Sequence, residues 1–197
     1  MLTKVKCPYC NAGLDVKPSR KNKCPNCGEY ILVRKGKLLT LEDAEIEDWL
    51  ARVDQFRVTK KNFLEEREKL SQHFGQKASI NDTAWAILNL LLREKYSHSD
   101  LNLIYFEMAH IVGLEGRNPK QILAKAHEQN LLEYKSQGIK KIQIDNVNDD
   151  EICEACRKLA GKVYSIDQAL KELPVPNNCE CETGCRCWYS WEIGLSE

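Results

Sequence analysis

Ten cysteines occupy only the two ends of this chain. Cys7, Cys10, Cys24 and Cys27 form one group, and Cys153, Cys156, Cys179, Cys181, Cys185 and Cys187 form the other; the 125 residues between Cys27 and Cys153 contain none. The opening MLTKVKCPYC lacks the apolar h-region of a secretory signal, so a reducing, cytoplasmic setting is expected. In that setting paired C-x-x-C thiols point to metal ligands before disulfides. The expected organisation is two metal-stapled ends joined by a middle that carries the one core of conventional size.

Cys7-Pro-Tyr-Cys10 and Cys24-Pro-Asn-Cys27, with thirteen residues between the pairs, have the spacing of a zinc ribbon. Each C-x-x-C folds as a tight knuckle whose two sulfurs converge on one ion, and two knuckles complete a tetrahedral four-thiolate shell. Asn11 and Gly28 follow the knuckles and tolerate the left-handed backbone that leaving such a turn requires. Tyr30–Val33 and Lys37–Leu39 around Arg34-Lys35-Gly36 read as a hairpin. Four thiolates leave no open coordination position, so the expected metal is structural.

The second group holds more thiols than one tetrahedron takes. Cys153-Glu-Ala-Cys156 is again a knuckle, and 22 residues separate it from Cys179-Glu-Cys181-Glu-Thr-Gly-Cys185-Arg-Cys187. Either four thiolates bind one zinc and two are spare, or all six hold two ions with two bridging sulfurs. The reading favours one zinc, half of its shell supplied by Cys153 and Cys156; which C-terminal thiols supply the rest is not fixed by spacing. The cofactor expectation is therefore Zn2+ at two sites, with a third ion left open for the six-cysteine group. Residues 145–197 are expected to bury few aliphatics, so the site is expected to act as a clasp, with Trp188, Tyr189 and Trp191 packed over it as an apolar lid.

The middle reads as helices. Leu41, Ala44, Ile46, Trp49, Leu50 and Val53 recur at helical spacing; Thr59 to Phe74 is a charged helix ending at Gly75. Asp82 is read as the cap of an almost uniformly apolar helix through Leu92, placed at the bundle centre, and Ser99 or Asp100 as the start of the next. Asn118-Pro119 opens a helix that stops at Gly138, after which Ile139, Ile142 and Ile144 suggest a strand. The fold expectation is mainly α: a zinc ribbon over 1–39, a helical domain over 40–138 and a small Cys-rich α+β zinc module over 139–197. No apolar run approaches the roughly 20 residues of a membrane span.

Catalytic patterns are sparse. Glu107-x-x-His110 is one half of a di-iron carboxylate motif whose second half does not occur, and His73, His98 and His127 lack ligand spacing. No H-x-E precedes a P-C-x-x-C, and neither G-x-x-x-x-G-K-[ST] nor G-x-S-x-G appears, so no enzyme activity is expected. Charge is polarised beneath a net of zero: residues 1–40 carry nine Lys/Arg against Asp15 and Glu29, whereas residues 145–197 carry eleven Asp/Glu against five Lys/Arg. The basic ribbon could contact phosphates weakly, through Arg20, Lys21, Lys23, Arg34 and Lys35.

The run Ile139-Lys-Lys-Ile-Gln-Ile, Asn146 to Asp150, Cys153-Glu-Ala-Cys156, Leu159-Ala-Gly161-Lys-Val-Tyr164, Pro174-Val-Pro176 and Cys185-Arg-Cys187 resembles the C-terminal motif of Mu-type phage head morphogenesis (minor capsid) proteins. The family places a histidine before its final Cys-Arg-Cys; here Cys179 or Cys181 stands near that place. The resemblance covers about 60 residues. It implies a phage- or prophage-derived structural or assembly protein, cytoplasmic or virion-associated, that docks on other proteins while zinc holds shape. The alternative is a zinc-ribbon nucleic-acid-binding accessory protein, and a weaker third reading is a thiol redox sensor.

Overall fold

The computed structural model describes residues 5–147, 149–181 and 184–191. Parts of the expected modules, residues 1–4, 148, 182–183 and 192–197, lie outside the described residues, as does Lys4 of the basic N-terminal charge. Helices fill the middle, with small sheets and a cysteine cluster at each end. The chain forms two compact units, 1–84 and 85–197. The three expected segments divide it by cysteine content; grouped by compactness, the helices of 40–138 are shared between both units, and the division falls inside a helix.

The first unit begins with the ribbon. Strands β1 (Val5–Lys6) and β2 (Gly13–Leu14) pair antiparallel around the first knuckle. Around the second, β3 (Asn22–Lys23), β4 (Tyr30–Arg34) and β5 (Lys37–Leu39) form a three-stranded antiparallel sheet. The expected hairpin is present: Arg34 faces Lys37 across a two-residue turn in which Lys35 (φ 47°) and Gly36 (φ 75°) are both left-handed, as a turn matched to strand twist requires. Helix α1 (Leu41–Arg52) follows at once, with Thr40 as its N-cap accepting from the Asp43 amide. Its buried stripe is Ala44, Ile46 and Trp49, and Trp49 meets Phe63 of α2 (Lys60–Phe74), the ring centroids 5.3 Å apart. Thr59 and Asn62 cap α2 reciprocally, and Gly75 ends it at φ 67°.

Arg67 ties the end of this unit together. Buried on α2, it donates from Nε to the Ala78 carbonyl (2.8 Å) and from its guanidinium to Glu42 of α1 (2.8 Å). Lys77 joins the same carboxylate at 2.8 Å, and these cations, Lys77 first, hold the Glu42 carboxyl below the usual range.

Two helix starts differ from expectation. Helix α3 (Ile80–Leu91) begins earlier than an Asp82 cap implies: the Ser79 hydroxyl accepts from the Asp82 amide while Asp82 accepts from Ser79. Likewise α4 (His98–Leu114) is capped by Ser97 with Asp100 as its reciprocal partner, not by Ser99 or Asp100. Both are capping boxes in which the acid sits at the third helical position. Nor is α3 buried all round, since Leu90 is exposed.

In the second unit α5 (Lys120–Ser136) is the spine. On one side it packs along α4, with Asn102 donating to the Ala126 carbonyl at 2.7 Å and His98 Nδ1 bonded to Gln129 at 2.7 Å. On the other it meets the Cys-rich module. There the sheet order is β7 (Val163–Ser165), β6 (Lys141–Asn146), β8 (Cys187–Ser190), with β6 antiparallel to both neighbours. Short helices α6 (Glu154–Leu159) and α7 (Ile166–Glu172) and a turn at Pro174–Asn177 complete the module. Its core joins Leu131 of α5 to Ile142, Ile144, Ile152, Leu159, Ile166, Val175 and Tyr189. The expectation of few buried aliphatics undercounts this core, because α5 and β6 lend it side chains from outside 145–197.

Candidate metal centres

The ribbon knuckles are near copies. In the first, the Cys7 amide donates to the Ala12 carbonyl (2.9 Å) and the Asn11 amide to the Cys7 carbonyl (3.0 Å). In the second, the Cys24 amide donates to Glu29 (2.8 Å) and the Gly28 amide to Cys24 (2.9 Å). Asn11 (φ 59°) and Gly28 (φ 77°) supply the left-handed exits. All four sulfurs lie within 4.8 Å of one another. The pairs across the knuckles are Cys7–Cys27 at 3.9 Å and Cys10–Cys24 at 3.8 Å.

Those separations carry chemical information. A sulfur tetrahedron with bonds of about 2.3 Å has edges of about 3.8 Å. A disulfide would bring two sulfurs to about 2.0 Å. The sulfurs thus stand where a four-thiolate ion needs them. Asn26 donates to the Cys10 sulfur (3.4 Å) and, with the Ala12 backbone, holds that thiol down to about 6, whereas, against the Glu29 backbone bond, burial and the neighbouring thiols push Cys27 up to about 12. The ribbon's small core around Cys7, Leu14, Cys24 and Ile31 is half cysteine, so the ribbon has little to close on without an ion.

At the other end all six cysteines converge. Cys153, Cys156, Cys179 and Cys181 form one group with mutual sulfur distances within 4.8 Å; Cys156, Cys185 and Cys187 form another, and Cys156 belongs to both. Cys153 is the N-cap of α6 and its sulfur accepts from the amides of Cys156 and Glu180, each at 3.4 Å. The Cys179 sulfur accepts from the Cys181 amide at 3.3 Å. Cys187 enters through β8, whose register sets it opposite Asn146, and Arg186 between the last two cysteines pairs with Asp149 and Glu151. Burial pushes the thiols of Cys156 and Cys179 up, and that of Cys181 up to about 11. Cys153 goes the other way: against burial, the Glu180 and Cys156 amides hold its thiol down to about 6.

The aromatic lid is corrected. Along β8 side chains alternate, so with Cys187 and Tyr189 facing inward, Trp188 must face outward, and both Trp188 and Trp191 are exposed. Tyr189 is the buried one. Its hydroxyl donates to the Val175 carbonyl (2.9 Å) and accepts from the Val175 amide (3.2 Å), while the Tyr134 hydroxyl donates to the Tyr189 carbonyl (3.2 Å).

The histidines take separate places. Glu107 is buried on α4, whereas His110 is exposed and lines a groove with Phe106, Leu114 and Cys185. His127, unremarkable in sequence, is enclosed between Phe106 and Tyr189 with Nε2 unpartnered, and burial lowers its pKa to about 4. In the ribbon, Lys21 and Lys23 lie over the exposed Tyr30 ring, at 4.7 and 5.5 Å from its centroid, while Arg34 is paired with Asp48 at 3.2 Å.

Fold and clusters together define a protein of helices and small sheets whose terminal cysteine groups have the dimensions of thiolate metal sites. The chain matches no family model, no curated protein and no solved structure. Among the described residues no helix is long and apolar enough to cross a membrane.

Proposed function

We propose that this chain is a non-enzymatic zinc protein in which the ions hold shape, and that it serves as a structural or assembly component of the head-morphogenesis kind. The observation that carries the zinc reading is the all-sulfur character of both clusters, with tetrahedral edge lengths in the ribbon and between Cys156 and Cys185, and with ligands built into backbone turns and, at the C-terminal end, into a hydrophobic core. A closed four-thiolate shell leaves no position for a substrate or an activated water. X-ray absorption at the zinc edge of the purified protein tests this: an all-sulfur first shell is expected, and a nitrogen or oxygen scatterer per ion would overturn the structural assignment.

The assembly half of the reading rests on the motif residues 139–187 and on where they lie. The acidic clasp exposes Trp188 and Trp191, aromatic surface of the kind protein interfaces use. Portal and terminase genes beside the gene for this chain would favour assembly; their absence would leave a zinc module in another host protein.

A second reading, weak nucleic-acid contact through the ribbon, is favoured by one arrangement. Lys21 and Lys23 flank an exposed tyrosine face, pairing cations for phosphate with a ring for base stacking. Anisotropy of labelled oligonucleotides across a salt series separates the readings. Phosphate contact gives a slope of log affinity against log salt that falls by about one unit for each contact removed from duplex DNA. Lys21→Gln with Lys23→Gln is the variant to compare; the assembly reading expects no binding at physiological salt.

A further inference from the structure

Six cysteines meet at the C-terminal end, and one tetrahedron accounts for only four. A single-ion site would leave Cys185 and Cys187 as spare thiols. Their positions argue otherwise. Cys187 is buried, held by the β6–β8 ladder, and Cys185 stands 3.8 Å from Cys156, the edge length of a thiolate tetrahedron and not a chance separation of two idle side chains. Arg186, between the two cysteines, fixes this segment from outside through Asp149 and Glu151.

The overlap of the two groups supplies the rest. Cys156 lies within reach of all five other thiols, since it belongs to both sets. Cys179 belongs to the first set alone, so Cys156 is the sulfur that the two sets share among the described residues. A thiolate sulfur carries more than one free lone pair, so one such central sulfur can bind two ions. We propose that the C-terminal cluster is binuclear: Cys153, Cys156, Cys179 and Cys181 enclose one divalent ion, and Cys185 and Cys187 hold the second, with Cys156 bridging both.

Charge favours sharing. Four thiolates around one divalent ion leave a net charge of about −2, and six thiolates around two ions leave the same charge spread over a larger site. The binuclear cluster therefore places less uncompensated charge per ion in the core of Ile144, Leu159 and Val175, where unscreened charge is costly. It also leaves no buried thiol competing with a ligand for the metal.

This inference rests on the zinc reading above, and metal counting separates the two. Protein purified under reducing conditions is analysed by native mass spectrometry and elemental analysis. Three zinc ions per chain are expected, two in Cys7→Ala with Cys10→Ala, and two in Cys185→Ala with Cys187→Ala. Two ions in the unaltered chain, unchanged by the Cys185/Cys187 substitutions, would overturn the binuclear cluster and leave the zinc reading standing. One ion or none in folded, reduced protein would overturn the zinc reading itself. Should the double variant fail to fold, cadmium-113 exchanged into the unaltered chain decides: three resonances, two of them split by coupling through the shared sulfur, support the cluster, and two uncoupled resonances refute it.

Discussion

Replacing His127 with leucine should abolish a specific acid sensitivity of the fold. The ring is enclosed on α5, 1% exposed, edge-on to Phe106 and Tyr189, with Nε2 unpartnered. Burial lowers its pKa from 6.5 to about 4. The unfolded chain takes up a proton near pH 6.5, whereas the folded chain refuses it until about pH 4. Below pH 6.5 the unfolded state therefore binds more protons, and stability falls as pH falls. The full loss is about 3 kcal/mol at pH 4, of which about 2 kcal/mol is already incurred at pH 5. For a chain of this size that corresponds to roughly 4–8 °C in melting temperature. Thermal and urea melts of both proteins at pH 5, 6, 7 and 8, with zinc held constant, give the comparison. Acid also strips zinc from thiolates, but it does so in both proteins, so the difference between them isolates the histidine. At pH 8 the leucine variant should match or exceed the parent, because an orphaned polar atom has gone. A stability gap that stays constant from pH 8 to pH 5 would refute the argument.

Three further outcomes follow from the same structure. Cys7→Ser should release one zinc and collapse the amide shifts of residues 5–39 while those of α4, α5 and the C-terminal sheet persist, because the ribbon's core is built around its own ligands; a two-dimensional amide spectrum with zinc analysis reads both. Gly184→Ala introduces a Cβ at φ +115°, 2.9 Å from Pro119 Cγ, beside Cys185. A strain of about 1–3 kcal/mol is expected there, seen as faster transfer of zinc from the C-terminal cluster to a colorimetric chelator. Arg67→Met leaves the Ala78 carbonyl without that buried donor and separates Glu42 from α2, so urea unfolding should show a loss of about 2–3 kcal/mol.

Local chemistry was legible in the sequence wherever a few adjacent residues decide it. The knuckles, the Asn11 and Gly28 exits and the Lys35-Gly36 turn each follow from backbone preferences within a handful of positions. The Ser79 and Ser97 caps were equally available, as Ser-x-x-Asp boxes, but an acid nearer the apolar run competes for the same role and only the observed hydrogen bonds separate them. The inward turn of Tyr189 required knowing that β8 is a strand, since its period of two, not the proximity of tryptophan to cysteine, sets which ring is buried. Which of the C-terminal sulfurs meet Cys153 and Cys156 was not legible. Cys156 and Cys185 are brought together by the β7–β6–β8 sheet and by α5 behind it, pairings that depend on contacts far apart in sequence.

The phenol of Tyr189 completes the module in a way a strand would not. A strand neighbour is held by a ladder of backbone bonds whose register must be right at every step; here one hydroxyl both gives to and takes from a single peptide residue, Val175. The chain between α7 and β8 is thus moored at Val175 before it delivers Cys179 and Cys181 to the thiol cluster, where the Glu180 amide donates to the Cys153 sulfur. The β6–β8 ladder holds Cys187 opposite Asn146 separately, so strand register and spacer are fixed by different contacts. For an architecture whose ligands come from widely separated stretches, that division lets one aromatic side chain serve both: Tyr189 lies in the ladder and grips the spacer.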